Sequence, residues 1–309
     1  MNPAVDISTS VTKMRPFVKM RCAEAHRDPG GGGINVARVL KRLGTEATAI
    51  YPAGGATGQT LAALVEREAV RSIVIPTSND TREDITVFDE TTREQFRLVF
   101  PGAVLSEFEW QQCLDAIARI SWQATFVIAS GSLPPGAPDD FYGRVVRASK
   151  GAARVIVDTT GAALKPALEA GVYLIKPNLR EFQDLAGISS ADEPSLIAAG
   201  RRLFDRYRIE IIALSMGSEG ALLLTRDMTL RASGLPIQPV SVSGAGDSFL
   251  GAMVSSLVHD DNLERAFRYG VAGGSAALLS PGTGLCLGAD VHRLASSVNV
   301  TTIARGSHA

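Results

Sequence analysis

The residues best suited to chemistry stand in one run, Ser243-Gly244-Ala245-Gly246-Asp247-Ser248-Phe249-Leu250-Gly251-Ala252. An apolar helix is expected to begin there, and the two glycines let backbone N–H groups turn inward at its start. A positive helix end with free donors suits a phosphate oxygen or a developing anion. Asp247 sits at the mouth of that anion site. A carboxylate there is either an N-cap or first-turn residue, or a general base that takes a hydroxyl proton while the helix terminus stabilises a phosphoryl group in transfer. The run alone leaves both readings open.

A second glycine run, Gly30-Gly31-Gly32-Gly33-Ile34-Asn35-Val36-Ala37-Arg38, precedes a helix with Val36, Leu40 and Leu43 on one face. It either lets backbone approach a ligand closely or is a loop that starts a helix capped by Asn35. No Gly-Lys-Ser/Thr follows either run, and neither is a strand-first G-x-G-x-x-G, which disfavours Walker-type and dinucleotide-binding folds. Two weaker patterns fall at expected C-terminal strand ends, where open α/β sheets bind ligands. In Lys176-Pro177-Asn178-Leu179-Arg180-Glu181, Asn178 and Glu181 could hold hydrated magnesium through water. Ser215-Met216-Gly217-Ser218-Glu219-Gly220 could wrap an adenosine or a phosphate. Each is equally an ordinary turn; their weight lies in occurring together.

These residues need a scaffold, and from Gly44 onward short β-branched runs alternate with amphipathic stretches, the pattern of parallel strands joined by crossover helices. Strands are expected over 71–75, 124–130, 154–158, 172–176 and 209–215, and helices over 36–43, 61–67, 107–120, 139–149 and 195–207. One section breaks the rhythm: 85–90 and 95–100 read as two strands around Thr91-Thr92, with Phe96, Leu98 and Phe100 on one face. Such a hairpin, joined by 11–22, makes a small sheet able to cover a cleft or meet another subunit.

With 309 residues, of which 45% are apolar, the chain can bury a large core. A net charge of −1 excludes long-range attraction to nucleic acid or anionic membrane, so anionic ligands must be held by a few placed cations. Cys22, Cys113 and Cys286 are far apart, odd in number and without metal-ligand spacing, which predicts reduced core thiols and a cytoplasmic location. No apolar run approaches the ~20 residues of a membrane span.

Together the motifs resemble the PfkB family of carbohydrate kinases, related to ribokinase. The order is Asn2-Pro3-Ala4-Val5-Asp6, the glycine segment with Asn35, K-P-N-x-x-E, S-x-G-x-x-G and G-A-G-D. The resemblance spans Met1 to about Leu287. It implies a single α/β domain over 1–309, a ribokinase-like three-layer sandwich with a central mostly parallel sheet and a small β lid formed by about 11–24 and 82–101. The segments 17–22, 52–55, 130–136 and 282–286 resemble the phosphosugar branch, particularly the minor-type 6-phosphofructokinases. That implies ATP-dependent phosphorylation of fructose 6-phosphate at its 1-hydroxyl, with tagatose 6-phosphate or fructose 1-phosphate as alternative acceptors.

By the same resemblance Asp6, Gly31, Gly32 and Asn35 grip sugar hydroxyls with Ser130 nearby, and Lys19, Arg21, Arg82 and Arg97 hold the phosphate already on the sugar. Asp247 is then the base, and the N–H groups of Gly244, Ala245 and Gly246 stabilise the transferring phosphoryl. Lys176, Asn178 and Glu181 face the ATP phosphates and Mg2+, and Ser215, Gly217 and Gly220 line the nucleotide. A monovalent cation such as K+ beside the G-A-G-D loop and a homodimer through the lid are further implications. Three positions depart from the family. Val242 replaces a frequent threonine, moving any hydroxyl contact to Ser241 or Ser243, and Gly284 stands where the branch tends to have arginine. Relatives also carry a strand-forming segment ahead of Asn2-Pro3; a missing or misassigned start would remove part of a central strand. The tail 305–309 resembles nothing in the family and is expected to be disordered or vector-derived. Two other classes compete with this reading: a catalytically silent sugar-phosphate sensor on the same fold, and a nicotinamide-dependent reductase, which lacks its fingerprint here.

Overall fold

A computed structural model describes residues 1–149, 151 and 153–305. Of the tail, Arg305 ends a strand, and 306–309 lie outside the described residues. The main sheet has seven strands in the order β13-β12-β11-β10-β9-β8-β7. Its parallel half is β7 (Phe126–Ser130), β8 (Arg154–Asp158), β9 (Val172–Ile175) and β10 (Ile209–Ser215). The antiparallel strands β11 (Ala221–Leu224), β12 (Met228–Ala232) and β13 (Val300–Arg305) continue it.

The central strands are apolar on consecutive residues because both faces are covered. Ile156, Leu174 and Ile211 pack on one side with α1 (Gly32–Arg42), α8 (Ala245–Asp260), α9 (Leu263–Ala277) and α10 (Gly288–Ala295). Their neighbours Val155, Val157, Ile175 and Ile212 face α3 (Glu107–Ile120), α4 (Phe141–Ala148), α5 (Leu164–Ala170), α6 (Leu179–Ala186) and α7 (Glu193–Arg206). This period-two split produces three layers. Helix α8 lies in the middle of one, buried from Ser248 to Leu257, so it cannot shift without moving the core.

Several expected boundaries hold, including 154–158, 209–215 and 107–120, the last opened by a reciprocal Ser106/Glu109 cap. Two helices start earlier than their apolar periodicity indicates: α1 at Gly32, and α2 (Gly55–Arg67) in place of 61–67. Glycine reads as a helix breaker, yet Gly58 sits inside α2, where a Cβ would be crowded at 3.1 Å from the Ala53 carbonyl carbon and from Thr81 Oγ1.

The small sheet has the order β2-β1-β5-β6, built from β1 (Ala4–Val11), β2 (His26–Gly30), β5 (Arg82–Asp89) and β6 (Gln95–Leu98). Its N-terminal half therefore comes from 4–11 and 26–30. Residues 12–25, expected within it, form an exposed connection carrying Lys13, Arg15, Lys19 and Arg21, charges that resist burial. Cys113 and Cys286 are core thiols as expected, but Cys22 falls in this connection and is exposed.

A parallel pair, β3 (Thr48–Ala53) and β4 (Arg71–Pro76), stands apart. Among the described residues β3 and β7 each keep one edge without a strand partner. Between them lies a cavity of about 650 Å³ lined by Ala49, Ile50, Val127, Ile128, Tyr142 and Val254, with Met1 at its wall. Among the described residues no helix is long and apolar enough to cross a membrane.

Candidate active site

The G-A-G-D run starts α8 as its composition requires. Gly244 is the N-cap with a left-handed backbone, φ 75°, and no side chain caps the helix. The first N–H groups of a helix have no intrahelical partners, so those following Gly244 are available to an anion. A Cβ at Gly244 would meet the Leu285 side chain at 2.6 Å, and one at Gly246 would lie 3.2 Å from Lys176 Nζ. The second glycine thus lets an ammonium rest against the helix terminus, adding to its positive end.

Asp247, in the first turn, accepts a hydrogen bond from Asn35 Nδ2 at 2.9 Å across 212 residues of chain. Burial pushes its carboxyl up to about 6, and the Asp158 carboxylate adds to that; the Asn35 hydrogen bond, Lys176 and Arg97 oppose it. A carboxylate held near neutrality is suited to accept a proton.

A second wall is formed by the second glycine run and β1, where the expected sugar-binding residues stand. Gly31, φ 105°, is the N-cap of α1. A Cβ at Gly32 would lie 2.3 Å from Ser130 Oγ, and one at Gly30 would overlap the Asp6 carboxyl at 2.4 Å. Close approach of backbone to polar side chains therefore demands glycine at both. Asp6 is also raised to about 6, by burial first and then by Asp84 and Asp28, against Arg97 and Arg82. These contacts, with the Asn35–Asp247 hydrogen bond, bring β1, the β7 terminus and the N-termini of α1 and α8 together, and with them the residues Asp6, Gly31, Gly32, Asn35, Ser130 and Asp247.

The third wall comes from β9 and β10. Lys176 is buried, and its Nζ lies 3.3 Å from Asp158 at the end of β8. Burial would lower its pKa, but Asp158, Asp247 and Glu181 outweigh that and hold it above the ordinary lysine value. Asp158 was not singled out from the sequence, although an acidic residue closing an apolar strand was its signal. Asn178 caps α6: its Oδ1 accepts the Glu181 N–H and Glu181 Oε2 accepts the Asn178 N–H, both at 2.9 Å. Asn178 bridges to Ser215 at the end of β10. Gly217 and Gly220 follow with φ 59° and 99°, and nothing lies within 4 Å of a Cβ built on Gly217, so this turn has an open face.

The four basic residues are not gathered alike. Arg97 is exposed on β6, and its charge bears on both Asp6 and Asp247. Arg82 is already engaged with Asp84 and with the carbonyls of Phe100 and Asn2. Lys19 and Arg21 are exposed on the 12–25 connection, with no hydrogen bond or ion pair among the described residues. At the family departure, Val242 is 64% exposed. Ser241 Oγ donates to the Gly282 carbonyl at 2.6 Å, while the buried Ser243 hydroxyl has no partner among the described residues. Of the two candidates, Ser243 is the free hydroxyl.

The pfkB family carbohydrate kinase profile matches residues 2–290. The chain belongs to the PfkB family of carbohydrate kinases. A PfkB relative from Mycobacterium tuberculosis, named ATP-dependent 6-phosphofructokinase isozyme 2, is 45% identical over 95% of this chain and 86% of its own length. The Escherichia coli protein of the same name is 38% identical over 94% of this chain and 95% of its own. Among solved structures, E. coli phosphofructokinase-2 in complex with potassium superposes with a TM-score of 0.91 at 36% identity, covering 96% of both chains. The same enzyme with fructose-6-phosphate gives 0.89 at 35%, again over 96% of both chains, as does its tetrameric inhibited form. The three-layer PfkB architecture and the sugar-kinase class expected from the motifs are thereby established.

Proposed function

We propose that this PfkB kinase transfers the γ-phosphoryl of ATP to the 1-hydroxyl of fructose 6-phosphate, with Asp247 as base. The observation that carries the reading is the placement of Asp247, tied to the acceptor wall by Asn35 while the unpartnered α8 N-terminus and Lys176 stand on its phosphate side. A hydroxyl held by Asp6, Asn35 and Ser130 gives its proton to Asp247 as its oxygen attacks. The N–H groups of Gly244, Ala245 and Gly246, with Lys176, receive the charge on the moving phosphoryl.

The donor set suits ATP, with a buried cation, helix-terminus donors and a glycine turn after Ser215 that is open at Gly217 and packed at Gly220 against the Ala232 carbonyl. Among the described residues no cluster of three or more His, Cys, Asp or Glu could hold a metal. Mg2+ would thus arrive on the nucleotide phosphates, with few protein ligands. Glu181 keeps one carboxylate oxygen outside its capping bond to reach it through water. When bound, the ion neutralises phosphate charge. A monovalent cation such as K+ is read beside the G-A-G-D loop, in keeping with a relative solved in complex with potassium.

The basic residues Lys19, Arg21, Arg82 and Arg97 would read the phosphate already on the sugar, and the small sheet over 82–101, with the 11–24 segment, would act as a lid. Phe96, Leu98 and Phe100 on that sheet are 38%, 50% and 47% exposed, an apolar face that a second copy would cover. Sedimentation as a dimer is the expected result, and a monomer at working concentration would remove this part. A cytoplasmic enzyme suits its free cysteines.

The test is Asp247→Asn. Formation of fructose 1,6-bisphosphate should fall by about 10²–10⁴ in kcat, with sugar-phosphate binding retained. An unaltered kcat would overturn the role, and an unmutated chain that binds both ligands without turnover would be a sensor.

A further inference from the structure

Asn35 can serve Asp247 only in one of its two amide orientations. The side chain is nearly symmetric in shape but not in chemistry: its NH2 donates, and its oxygen only accepts. Turned over, Asn35 would present a lone pair to the carboxylate, repelling its ionised form. Something must therefore hold the oxygen, and one group does. Arg38, one turn along α1 and 1% exposed, donates from Nη1 to Asn35 Oδ1 at 3.3 Å and to the Pro29 carbonyl at 2.9 Å.

The other half of the same guanidinium holds the opposite flank of the site. Nη2 meets Asp28 Oδ1 at 3.3 Å and Glu68 Oε1 at 2.6 Å. The second Asp28 oxygen accepts from Thr283 Oγ1 at 2.8 Å. Glu68 also binds Arg42 at 2.9 Å, and Arg42 reaches the carbonyls of Leu285 and Cys286. Leu285 is the side chain pressed against Gly244. Both supports of Asp247, the Asn35 amide and the loop against the α8 N-cap, thus converge on Arg38. Burying a guanidinium is costly, and its Nε is left without a partner. Packing alone would be served by an apolar residue.

We infer that Arg38 is a positioning residue for phosphoryl transfer, orienting the Asn35 amide so that it donates to Asp247 and fixing the 282–286 loop against the start of α8. This rests on Asp247 being the base, and the two can fail separately. The charged groups that act on Asp247 are Asp158, Lys176 and Arg97, while Arg38 reaches it through Asn35, and none of those three changes in the test.

The experiment compares Arg38→Met and Arg38→Lys with the unmutated enzyme, per active site, across pH 5–8. Ionisation of the substrate phosphates is common to all three and cancels. Arg38→Met is expected to lower kcat by about 10–100-fold with KM for ATP little changed, and to move the acid limb of kcat upward by about half to one pH unit as the amide loses its orientation. Arg38→Lys, which keeps the charge without the fork, should recover part of the rate. A lower melting temperature with kcat and acid limb unchanged would reduce Arg38 to a structural role and overturn the proposal. Should neither variant fold, the Asn35 side-chain NH2 resonances of the unmutated protein decide it. They must shift as Asp247 titrates and stay still in Asp247→Asn; an NH2 signal indifferent to that titration contradicts the assigned orientation. If Asp247→Asn itself retains full activity, the reading of the base fails instead.

Discussion

The two sheets that meet at the cleft are built in opposite ways. On the main-sheet side the reactive groups are already partnered: half-buried Asp247 with Asn35, buried Lys176 with Asp158, and exposed Asn178 with Glu181. On the small-sheet side Lys19, Arg21 and Arg97 are exposed, and only Arg82 is pinned, by groups of its own chain. Chemistry is preorganised before any ligand arrives. In the proposed reading, acceptor recognition falls to long side chains on an edge strand and a loop, where holding a phosphate means ordering them, at a cost in rotamer entropy.

If that division is right, disturbing the first side should cost rate and disturbing the second should cost binding. The largest expected effect is at Lys176: Lys176→Met should lower kcat by about 10²–10³, since it removes a buried positive charge aimed at the transferring group and leaves Asp158 and Asp247 facing each other. Equal losses in kcat and kcat/KM would place the interaction in the transition state. Next comes pH. Asp247 must be ionised to act, and its carboxyl titrates at about 6; kcat at saturating substrate should therefore fall about tenfold per unit below that value. A kcat level to pH 4.5 would contradict the burial argument. On the other side, Arg97→Ala should raise KM for the sugar phosphate by about tenfold and spare kcat, consistent with loss of one charge-assisted contact. Lys19→Ala and Arg21→Ala, from the unpartnered loop, should each raise KM by only about two- to threefold. A large kcat loss at Arg97 would blur the division and make it part of the chemistry.

What the sequence made legible follows the same line. The strands that carry the site, such as 154–158 and 209–215, were readable because burial on both faces forces unbroken apolar runs. The G-A-G-D start of α8 was readable because the left-handed backbone at Gly244 and the close approach of Leu285 favour glycine there, and Lys176 lies close against Gly246. The small sheet was half legible: the hairpin alternates, but β2 is His-Arg-Asp-Pro-Gly, which has no strand-like composition and pairs only because β1 lies beside it. Arg38 and Asp158 escaped notice for a related reason. Each is an ordinary charged residue locally, and each matters through partners more than 15 residues away, Glu68 and Lys176. The bulk charge near zero likewise hides a site whose charges pair across the fold.

The most direct test of the whole account is a comparison of kcat/KM for ATP-dependent phosphorylation of fructose 6-phosphate, tagatose 6-phosphate, fructose 1-phosphate and free fructose. A preorganised base beside a cationic phosphate reader predicts the highest value for fructose 6-phosphate and a loss of several orders of magnitude for free fructose. Comparable values for free and phosphorylated sugar would contradict it.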